Sequence, residues 1–578
     1  MASSRGIGAL VIAAMLAASC AGDDGAALDG EAGSETGAEA SVDDVTDDRA
    51  ADDVTEPDAP DAGPDDVTED LAEDAPDVSD APGASDVGDA GAVRDGDVSD
   101  AGDASDGDVR DVSDVPDAAT SVAVSHAREL RGAWVATVWN INFPSSSRLS
   151  VSASQGELTA MLDVMQRNRL NAVVFQVRPE GDAVYRSTLE PWSRYLTGTQ
   201  GRDPGYDPLS FLVTEAHRRN IEVHAWFNPY RAKSASSQSV VAPHIGATNP
   251  EAVVTYNNML WMDPSRTVVQ DRLAAVIRDV VTRYDIDGVH FDDYFYPYPV
   301  SGMAFPDSGQ YDRYRMGGGA LSLGDWRRDN VNRMVRRVSE VIAMVRPDVR
   351  FGISPFGIYR PGMPAGISGL DAYNAIYCDP VRWMREGWVD YLAPQLYWPS
   401  TQTAQAYGTL IAWWAGLATG GRSIFAGNNL GQLGSSTAWS VAEFRRQVEL
   451  TRAQEARGAR GNIWFTVQPF QSNRMGIADV FRANYYQQGV LTPPMAGTRP
   501  RPPTPTVTVA ARVLRLAHPD ARALRAWAVY RDVSGRWELD QIVPAAQASA
   551  TVTMAGAYAV SAVNRYGDES LGAVAAVR

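Results

Sequence analysis

Residues 287–294 have the sequence Asp287-Gly288-Val289-His290-Phe291-Asp292-Asp293-Tyr294. The short apolar run is typical of a buried strand, and two carboxylates follow it directly. Side chains alternate along a strand, so Val289 and Phe291 share one face, while Gly288, His290 and Asp292 share the other. In a parallel barrel one face packs against helices and the other points into the interior. The stretch therefore predicts an inward-facing His290 and places Asp292 at the mouth of a barrel.

The sequence on both sides of this stretch alternates between strand and helix patterns. Eight short apolar runs predict strands at Ala133–Trp139, Asn171–Val177, Ile221–Phe227, Ile286–Phe291, Val349–Ile353, Tyr391–Ala393, Ser423–Ala426 and Asn462–Val467. The clearest helices between them are Thr267–Tyr284, Asp325–Val345 and Val441–Arg457, and Asp263-Pro264-Ser265 predicts an N-cap for the first. Residues 128–487 are therefore predicted to form an α/β fold, a (β/α)8 TIM barrel. The main alternative, a doubly wound sheet, would need a Gly-rich phosphate loop that follows none of these strands.

The first twenty residues predict an export signal rather than part of the fold. Arg5 precedes an apolar run at Ile7–Ala18, which is too short for a permanent membrane span, and small residues lead to Cys20. This resembles a bacterial lipoprotein signal peptide, in which Cys20 becomes the lipidated N-terminus. The alternative is an ordinary cleaved signal with a coincidental cysteine.

The acidity of the chain is concentrated in one segment. Residues 21–120 hold 34 Asp and Glu against three Arg, whereas the whole chain has a net charge of −21, so residues 121–578 are mildly basic. The acidic segment repeats Asp, Ala, Val, Gly and Ser and has no aromatic residue, so it cannot bury enough apolar surface to fold. Residues 21–122 are therefore predicted to be a disordered tether.

The C-terminal region predicts a separate small domain. Six prolines between Pro493 and Pro505 indicate a stiff linker over residues 488–505. Alternating patterns in residues 506–578 then predict a small β-sandwich, of fibronectin type III kind. Such a domain can bind sugar or simply space domains, and both roles stay open.

Polar and aromatic side chains are predicted to gather where the barrel strands end. Pyranose rings have apolar faces and hydroxyl edges, so aromatic platforms beside polar groups predict a sugar site. The candidate substrate-binding residues are Gln176, Arg178, His224, Asn228, Tyr230, His290, Tyr294, Gln395, Tyr397 and Trp398.

Glycoside hydrolysis normally needs two carboxyl groups. Asp292 is the first candidate, as nucleophile or stabiliser, and either Asp182 or Asp293 is expected to supply the second carboxyl. An acetamido group on the substrate could itself attack and replace the carboxylate nucleophile. The structural alternative for Asp292 is an ion pair with Arg178 at the barrel mouth.

Two other functions remain open from these residues. His224, His290 and Asp292 could form a divalent-metal site of the deacetylase kind, but no His-x-His pair or His-Glu-x-x-His helix is present, so we expect no metal and no cofactor. The other alternative is a surface protein that binds glycan without cleaving it.

Several stretches in this order resemble the glycosyl-hydrolase-like family ten of bacterial surface proteins. They are Arg131–Thr137, Phe175–Pro179, Pro204–Leu209, His224–Arg231, Asp287–Tyr296, Phe351–Pro355 and Tyr391–Trp398. The resemblance implies a TIM barrel, a cell-surface location and glycan hydrolysis, and some relatives are lipoproteins thought to cut peptidoglycan strands without stem peptides. Residues 287–294 are also similar to the chitinase-like pattern DGxDxDxE, although Tyr294 occupies the position of the acid Glu and His290 that of an Asp.

These expectations define a secreted monomer, lipid-anchored at the bacterial outer membrane or cell surface through Cys20. Its expected partner is a polysaccharide, with cell-wall glycan first, and no nucleic acid is expected.

Overall fold

The computed structural model describes residues 120–578. Eight parallel strands close into a barrel, in which the last strand pairs with the first through Gly461 and Leu130. The strands are β1 Leu130–Val135, β2 Ala172–Arg178, β3 Glu222–Phe227, β4 Gly288–Phe291, β5 Arg350–Ile353, β6 Tyr391–Leu392, β7 Ser423–Asn428 and β8 Ala459–Trp464. The predicted (β/α)8 barrel is confirmed.

One main helix follows each strand and covers the outside of the barrel. These helices are α1 Val151–Arg167, α2 Pro208–His217, α3 Thr267–Arg283, α4 Leu323–Val345, α5 Pro380–Arg385, α6 Tyr407–Ala415, α7 Val441–Arg452 and α8 Ile477–Asn484. Ser150, Asp207, Ser322 and Ser440 cap four of them by accepting backbone N–H bonds in the first turn.

The predicted N-cap at Asp263 was wrong. The residue before α3 is Arg266, and its side chain makes no capping bond. Asp263 instead accepts hydrogen bonds from the backbone and hydroxyl of Ser265. The carboxylate therefore stabilises the turn that precedes the helix.

The longest excursion from the barrel lies between β3 and α3. It contains a small antiparallel sheet formed by Arg231–Lys233, Val253–Tyr256 and Met259–Met262. The other short elements of the barrel region are the helices Arg194–Thr197, Ile245–Thr248, Ser308–Met316, Ala372–Ala375 and Gln468–Gln471, and the 3-10 turns Val138–Asn140, Pro250–Ala252, Thr403–Gln405, Leu430–Gln432, Glu455–Arg457 and Arg474–Gly476.

Two cores lie on opposite faces of the barrel wall, as the alternation of side chains requires. Val289 and Phe291 belong to the large core between strands and helices, whereas Trp134, Val174 and Tyr391 belong to the interior core. The close packing of the interior requires a glycine at position 352, because a Cβ there would lie 1.9 Å from the Tyr391 ring.

The C-terminal region forms two antiparallel sheets that share one core. Its strands are β9 Thr506–Ala510, β10 Val513–Ala517, β11 Leu524–Val533, β12 Arg536–Pro544, β13 Ser549–Thr551, β14 Gly556–Asn564 and β15 Gly572–Val577, and Ala521–Ala523 forms a 3-10 turn before β11. One sheet has the order β9-β10-β13, and the other has β15-β14-β11-β12. Leu514 of the first sheet and Trp527 of the second lie in the same buried cluster.

An N-terminal segment completes the larger of these sheets. Ser121–Val122 pairs antiparallel with Ala573 and Gly572 of β15. The sequence analysis assigned these two residues to the tether, but the structure places them in this sheet. The predicted signal peptide, Cys20 and the tether up to residue 119 lie outside the described residues.

The C-terminal domain is docked on the barrel at the N-terminal ends of the strands, here called the base. Arg525 of β11 lies within 3.4 Å of Glu222 and also contacts Asp287, two carboxylates that flank the starts of β3 and β4. Within the proline-rich segment, Leu491 accepts a hydrogen bond from the Glu129 backbone and Pro493 accepts one from Arg350. Residues 488–505 are thus partly packed between the two domains. Within residues 120–578, no helix is both long and apolar enough to cross a membrane.

Candidate active site

A cleft opens at the end of the barrel opposite the base, where the strands end. Its empty volume is about 630 Å³, including the open mouth. It is lined by Trp134, Ala136, Val138, Trp139, Ile141, Gln176, Trp226, Arg231, Asp292, Asp293, Tyr294, Ser354, Gln395, Tyr397 and Phe465. Larger cavities lie between the base and the C-terminal domain, but the position after the strand ends and the paired carboxyls identify this cleft as the candidate site.

Asp292 lies in this cleft with only 5% of its surface exposed. Its Oδ2 accepts hydrogen bonds from Trp226 Nε1 and Asn228 Nδ2, both at 3.0 Å. Burial raises the pKa of Asp292 to about 7; the positive charge of Arg231 opposes this rise and the neighbouring Asp293 adds to it. A substantial fraction of Asp292 is therefore protonated at neutral pH, and Oδ1 is not engaged by a side chain.

Asp293, the next residue, is also buried and lines the same cleft. It accepts a short hydrogen bond from the Tyr298 hydroxyl. Burial raises the pKa of Asp293, and the neighbouring Tyr298 and Gln395 side chains oppose the rise. β4 ends at Phe291, and the chain beyond it turns both carboxyls into the cleft.

A column of hydrogen bonds supports the cleft from inside the barrel. Trp134 Nε1 donates to His290 Nε2 at 3.2 Å, and the Tyr391 hydroxyl lies within 2.9 Å of a ring nitrogen of both His290 and His224. His224 Nε2 also lies 3.1 Å from Glu222. Burial lowers the pKa of His290 well below its ordinary value, and the neighbouring His224 adds to this effect, so the His290 ring is neutral.

This column bears on the metal hypothesis. Both ring nitrogens of His224 and of His290 already have hydrogen-bond partners inside the barrel. Among residues 120–578, no group of three His, Cys, Asp or Glu side chains is placed to hold a metal ion. The structure therefore does not assemble His224, His290 and Asp292 into a ligand set.

Arg178 does not reach the cleft, contrary to the expectation from alternation. The pairing of β2 with β3 shifts between Gln176 and Arg178, which is a β-bulge. The extra residue reverses the parity, so Gln176 faces the cleft while Arg178 points away from it. Arg178 forms a fully buried ion pair with Glu190, at 2.6 Å, and not with Asp292.

Three other candidates also lie away from the cleft lining. Asp182 is fully buried and accepts hydrogen bonds from the Glu180 backbone and from Gln200. Burial and the charge of Glu180 raise the pKa of Asp182 to about 6. Tyr230 and Trp398 are packed in the core between strands and helices. Of the two possible second carboxyls, the structure brings Asp293, and not Asp182, beside Asp292.

The remaining candidates occupy two positions. Gln176, Tyr294, Gln395 and Tyr397 line the cleft. Asn228, His224 and His290 lie behind it, and Asn228 contacts Asp292 directly, whereas the two histidines belong to the supporting column. These three residues position the site and do not line it.

Several cleft residues were not among the predicted site residues. Trp139 was assigned to the end of β1, but that strand stops at Val135, and Trp139 lies in a 3-10 turn with φ of 53°. Phe465 follows β8 and stacks beside Tyr397, with ring centroids 6.0 Å apart. Arg231 opens the small antiparallel sheet after β3 and is at the end of one of the stretches that carry the family resemblance.

Comparison with known proteins agrees with this architecture. The family model described as glycosyl hydrolase-like 10 matches residues 129–437. A Bacillus subtilis (strain 168) protein named glycosyl hydrolase YngK is 40% identical over 396 residues, which are 65% of this chain and 76% of that protein. The chain belongs to the glycosyl hydrolase-like 10 family. Another relative, glycosyl hydrolase DigH of Escherichia coli (strain K12), is 37% identical over 50% of this chain and 70% of its own length.

In this member of the glycosyl hydrolase-like 10 family, the cleft combines two features suited to glycan chemistry. Asp292 and Asp293 are consecutive carboxyls in a site of low polarity, where two adjacent negative charges are disfavoured. The charge of Asp293 thus helps to keep a proton on Asp292. Aromatic rings from Trp139, Tyr294 and Tyr397 border the same space and offer flat apolar surfaces for sugar rings.

Proposed function

We propose that the protein hydrolyses O-glycosidic bonds in an extracytoplasmic polysaccharide, and that peptidoglycan glycan strands lacking stem peptides are its substrate. The observation that carries this proposal is Asp292, a buried carboxyl with a pKa of about 7 in an aromatic cleft at the barrel mouth. A general acid works best when its pKa is close to the working pH. Family membership supports the reaction class.

In the proposed reaction Asp292 gives its proton to the glycosidic oxygen as the bond to the anomeric carbon breaks. Trp226 and Asn228 hold Oδ2 as acceptor, so Oδ1 is the oxygen that presents the proton. This role differs from the nucleophile or stabiliser expected from sequence, because burial keeps the group protonated.

Asp293 supplies the second carboxyl in this proposal. Its hydrogen bond from Tyr298 favours the ionised form, which can stabilise positive charge at the anomeric carbon. On a substrate with an acetamido group, the acetamido oxygen can attack the anomeric carbon, and water then opens the resulting ring. Asp293 would orient the acetamido group, because it is adjacent in sequence to the proton donor Asp292 and lines the same cleft.

The test uses purified protein and peptidoglycan, either intact or stripped of its stem peptides, with soluble products identified by mass spectrometry. We expect glycan fragments from the stripped polymer, and a loss of at least about 100-fold in rate for Asp292→Asn. The matched control is Asp312→Asn, the same substitution on an exposed helical residue after β4, which should keep full activity.

Other outcomes would contradict the proposal. Retention of the protein on glycan without any fragments, equally for wild type and Asp292→Asn, would indicate a binding protein. Release of acetate from an uncut glycan would indicate a deacetylase. Fragments produced equally by Asp292→Asn would remove Asp292 from the chemistry.

A further inference from the structure

Arg231 differs from the other buried arginines of the described chain in having no carboxylate partner. Six arginines are buried within residues 120–578. Five of them lie within ion-pair distance of an Asp or Glu side chain, and these are Arg131, Arg178, Arg327, Arg328 and Arg350. For Arg231, which is 5% exposed, no carboxylate oxygen of residues 120–578 lies within 4.0 Å.

Hydrogen bonds fix the backbone and the Nε atom of Arg231, but its two terminal nitrogens are free of hydrogen bonds to the described residues. Its backbone N–H donates to Asn228 Oδ1 at 2.8 Å, and its Nε donates to the Pro179 carbonyl at 3.1 Å. The guanidinium carbon lies 5.3 Å from the centre of the Tyr294 ring and 5.9 Å from that of Trp139. Neither terminal nitrogen has a hydrogen-bond partner among the described residues, and the side chain lines the cleft.

The two terminal nitrogens of Arg231 keep some exposure to the cleft, so they can bind a ligand that enters it. Asp292 and Asp293 line the cleft together with Arg231, and burial raises the pKa of both carboxyls. At neutral pH the negative charge of Asp292 is therefore only partly present. The Arg231 guanidinium lies beside two aromatic rings, and both of its terminal nitrogens are free to bind an anionic ligand.

We propose that the Arg231 guanidinium binds a free carboxylate on a sugar next to the scissile bond, so that the cleft selects an anionic glycan. This inference rests on the proposed function, because it takes the cleft as the glycan site. A carboxylate matches the planar fork of arginine with two parallel hydrogen bonds. A carboxylate also carries a single negative charge. This charge balances Arg231, and no second negative charge is brought near Asp292 and Asp293.

The same geometry discriminates against a sugar whose carboxyl is joined to a peptide through an amide bond. An amide has no charge to offer Arg231, and its substituent would have to fit beside Tyr294 and Trp139. In peptidoglycan, the lactyl carboxyl is free only where the stem peptide has been removed. Arg231 would therefore discriminate between stripped and peptide-bearing strands by direct recognition of the carboxylate.

The test compares two soluble tetrasaccharides of alternating N-acetylglucosamine and N-acetylmuramic acid. One has free lactyl carboxyls, and the other has the same carboxyls converted to methylamides. Binding is measured by calorimetry with protein that carries Asp292→Asn to prevent turnover. A charge-assisted bidentate contact predicts about 10- to 100-fold tighter binding of the carboxylate form.

Variants of Arg231 and of a control arginine distinguish specific recognition of the carboxylate from a nonspecific effect of positive charge. Arg231→Met should bring the preference to within about twofold, and Arg231→Lys should retain part of it. The control is Arg360→Met, which removes a more exposed arginine from a loop on the same barrel face and should leave the preference intact.

Equal binding of the two tetrasaccharides by protein with intact Arg231 would overturn the inference, even if no Arg231 variant folds. So would a preference that survives Arg231→Met. Hydrolysis is scored separately with wild type: a carboxylate preference without products would refute the proposed function alone, and products without a preference would refute the Arg231 inference alone.

Discussion

Replacing Asp292 by Asn should make the protein more stable at alkaline pH and leave its stability nearly unchanged in acid. The pKa of Asp292 is raised from 3.8 to about 7 by burial, and each pKa unit corresponds to about 1.4 kcal/mol. Ionised Asp292 therefore costs the folded state about 4 kcal/mol. Asn cannot ionise, and its oxygen can accept the same hydrogen bonds from Trp226 and Asn228.

The direction in which stability changes with pH follows from proton binding to the folded and unfolded states. The folded protein holds the Asp292 proton more tightly than the unfolded chain, so stability falls as pH rises from about 4 to about 7. Below this window Asp292 is protonated in both states and the penalty is absent. The difference between Asp292→Asn and wild type should accordingly grow from near zero at pH 4 to about 4 kcal/mol at pH 8.

Urea unfolding at each pH unit from 4 to 8 measures this difference, and comparing variant with wild type cancels the titration of other groups. Asp312→Asn, which removes an exposed carboxylate, controls for loss of charge as such. A stability difference that stays flat with pH would refute the reasoning, as would a variant less stable than wild type at pH 8. The first result would mean that Asp292 is not buried enough for its ionisation to be costly.

Two further predictions concern catalysis and domain docking. If Asp292 is the acid, kcat/KM on stripped peptidoglycan should fall about tenfold per pH unit above about pH 7, and a rate that keeps rising to pH 9 would contradict that role. Arg525→Met should reduce the free energy of unfolding by about 1.5–3 kcal/mol, because it removes the cation that Asp287 and Glu222 share and leaves them only His217 and Arg350. Thermal unfolding beside the exposed control Arg536→Met checks this, and equal Tm values for the two variants would show that the base ion pairs contribute little.

Much of the site was predictable from local sequence. The alternation in residues 288–292 places His290 inside the barrel and Asp292 at its mouth, because a regular strand has a fixed period of two. The eight strands were predicted from short apolar runs, and each prediction overlaps an observed strand. Strand boundaries were less accurate, as in β1, where Trp139 belongs to the following turn.

The failures have physical causes that a local pattern does not contain. A β-bulge reverses the parity of Arg178, and bulges depend on pairing with the neighbouring strand. Arg231 reaches the cleft through a small sheet that pairs it with Trp261, thirty positions further along the chain. The docking of the C-terminal domain depends on Arg525 meeting Glu222 and Asp287, which are hundreds of residues away in sequence.

The ion pairs at the base of the barrel lower the pKa values of Glu222 and Asp287. In the cleft, by contrast, burial raises the pKa values of Asp292 and Asp293. Burial alone would raise the pKa of Glu222, but the charges of Arg525 and Arg350 lower it to about 2. Burial opposes the same effect at Asp287, and Arg525 and His217 hold its pKa well below the ordinary range. Ionised carboxyls thus stabilise the base, whereas ionised Asp292 destabilises the mouth.

The first described residues lie at the end of the barrel opposite the cleft. The Thr120 carbonyl accepts a hydrogen bond from Val574, and Ser121–Val122 forms the edge of the C-terminal sheet, which lies against the base. The seven residues of β2 put the opposite end of the barrel about 20 Å away. The first described residues and the cleft therefore lie at opposite ends of the barrel, so a ligand can enter the cleft without passing the N-terminal edge strand.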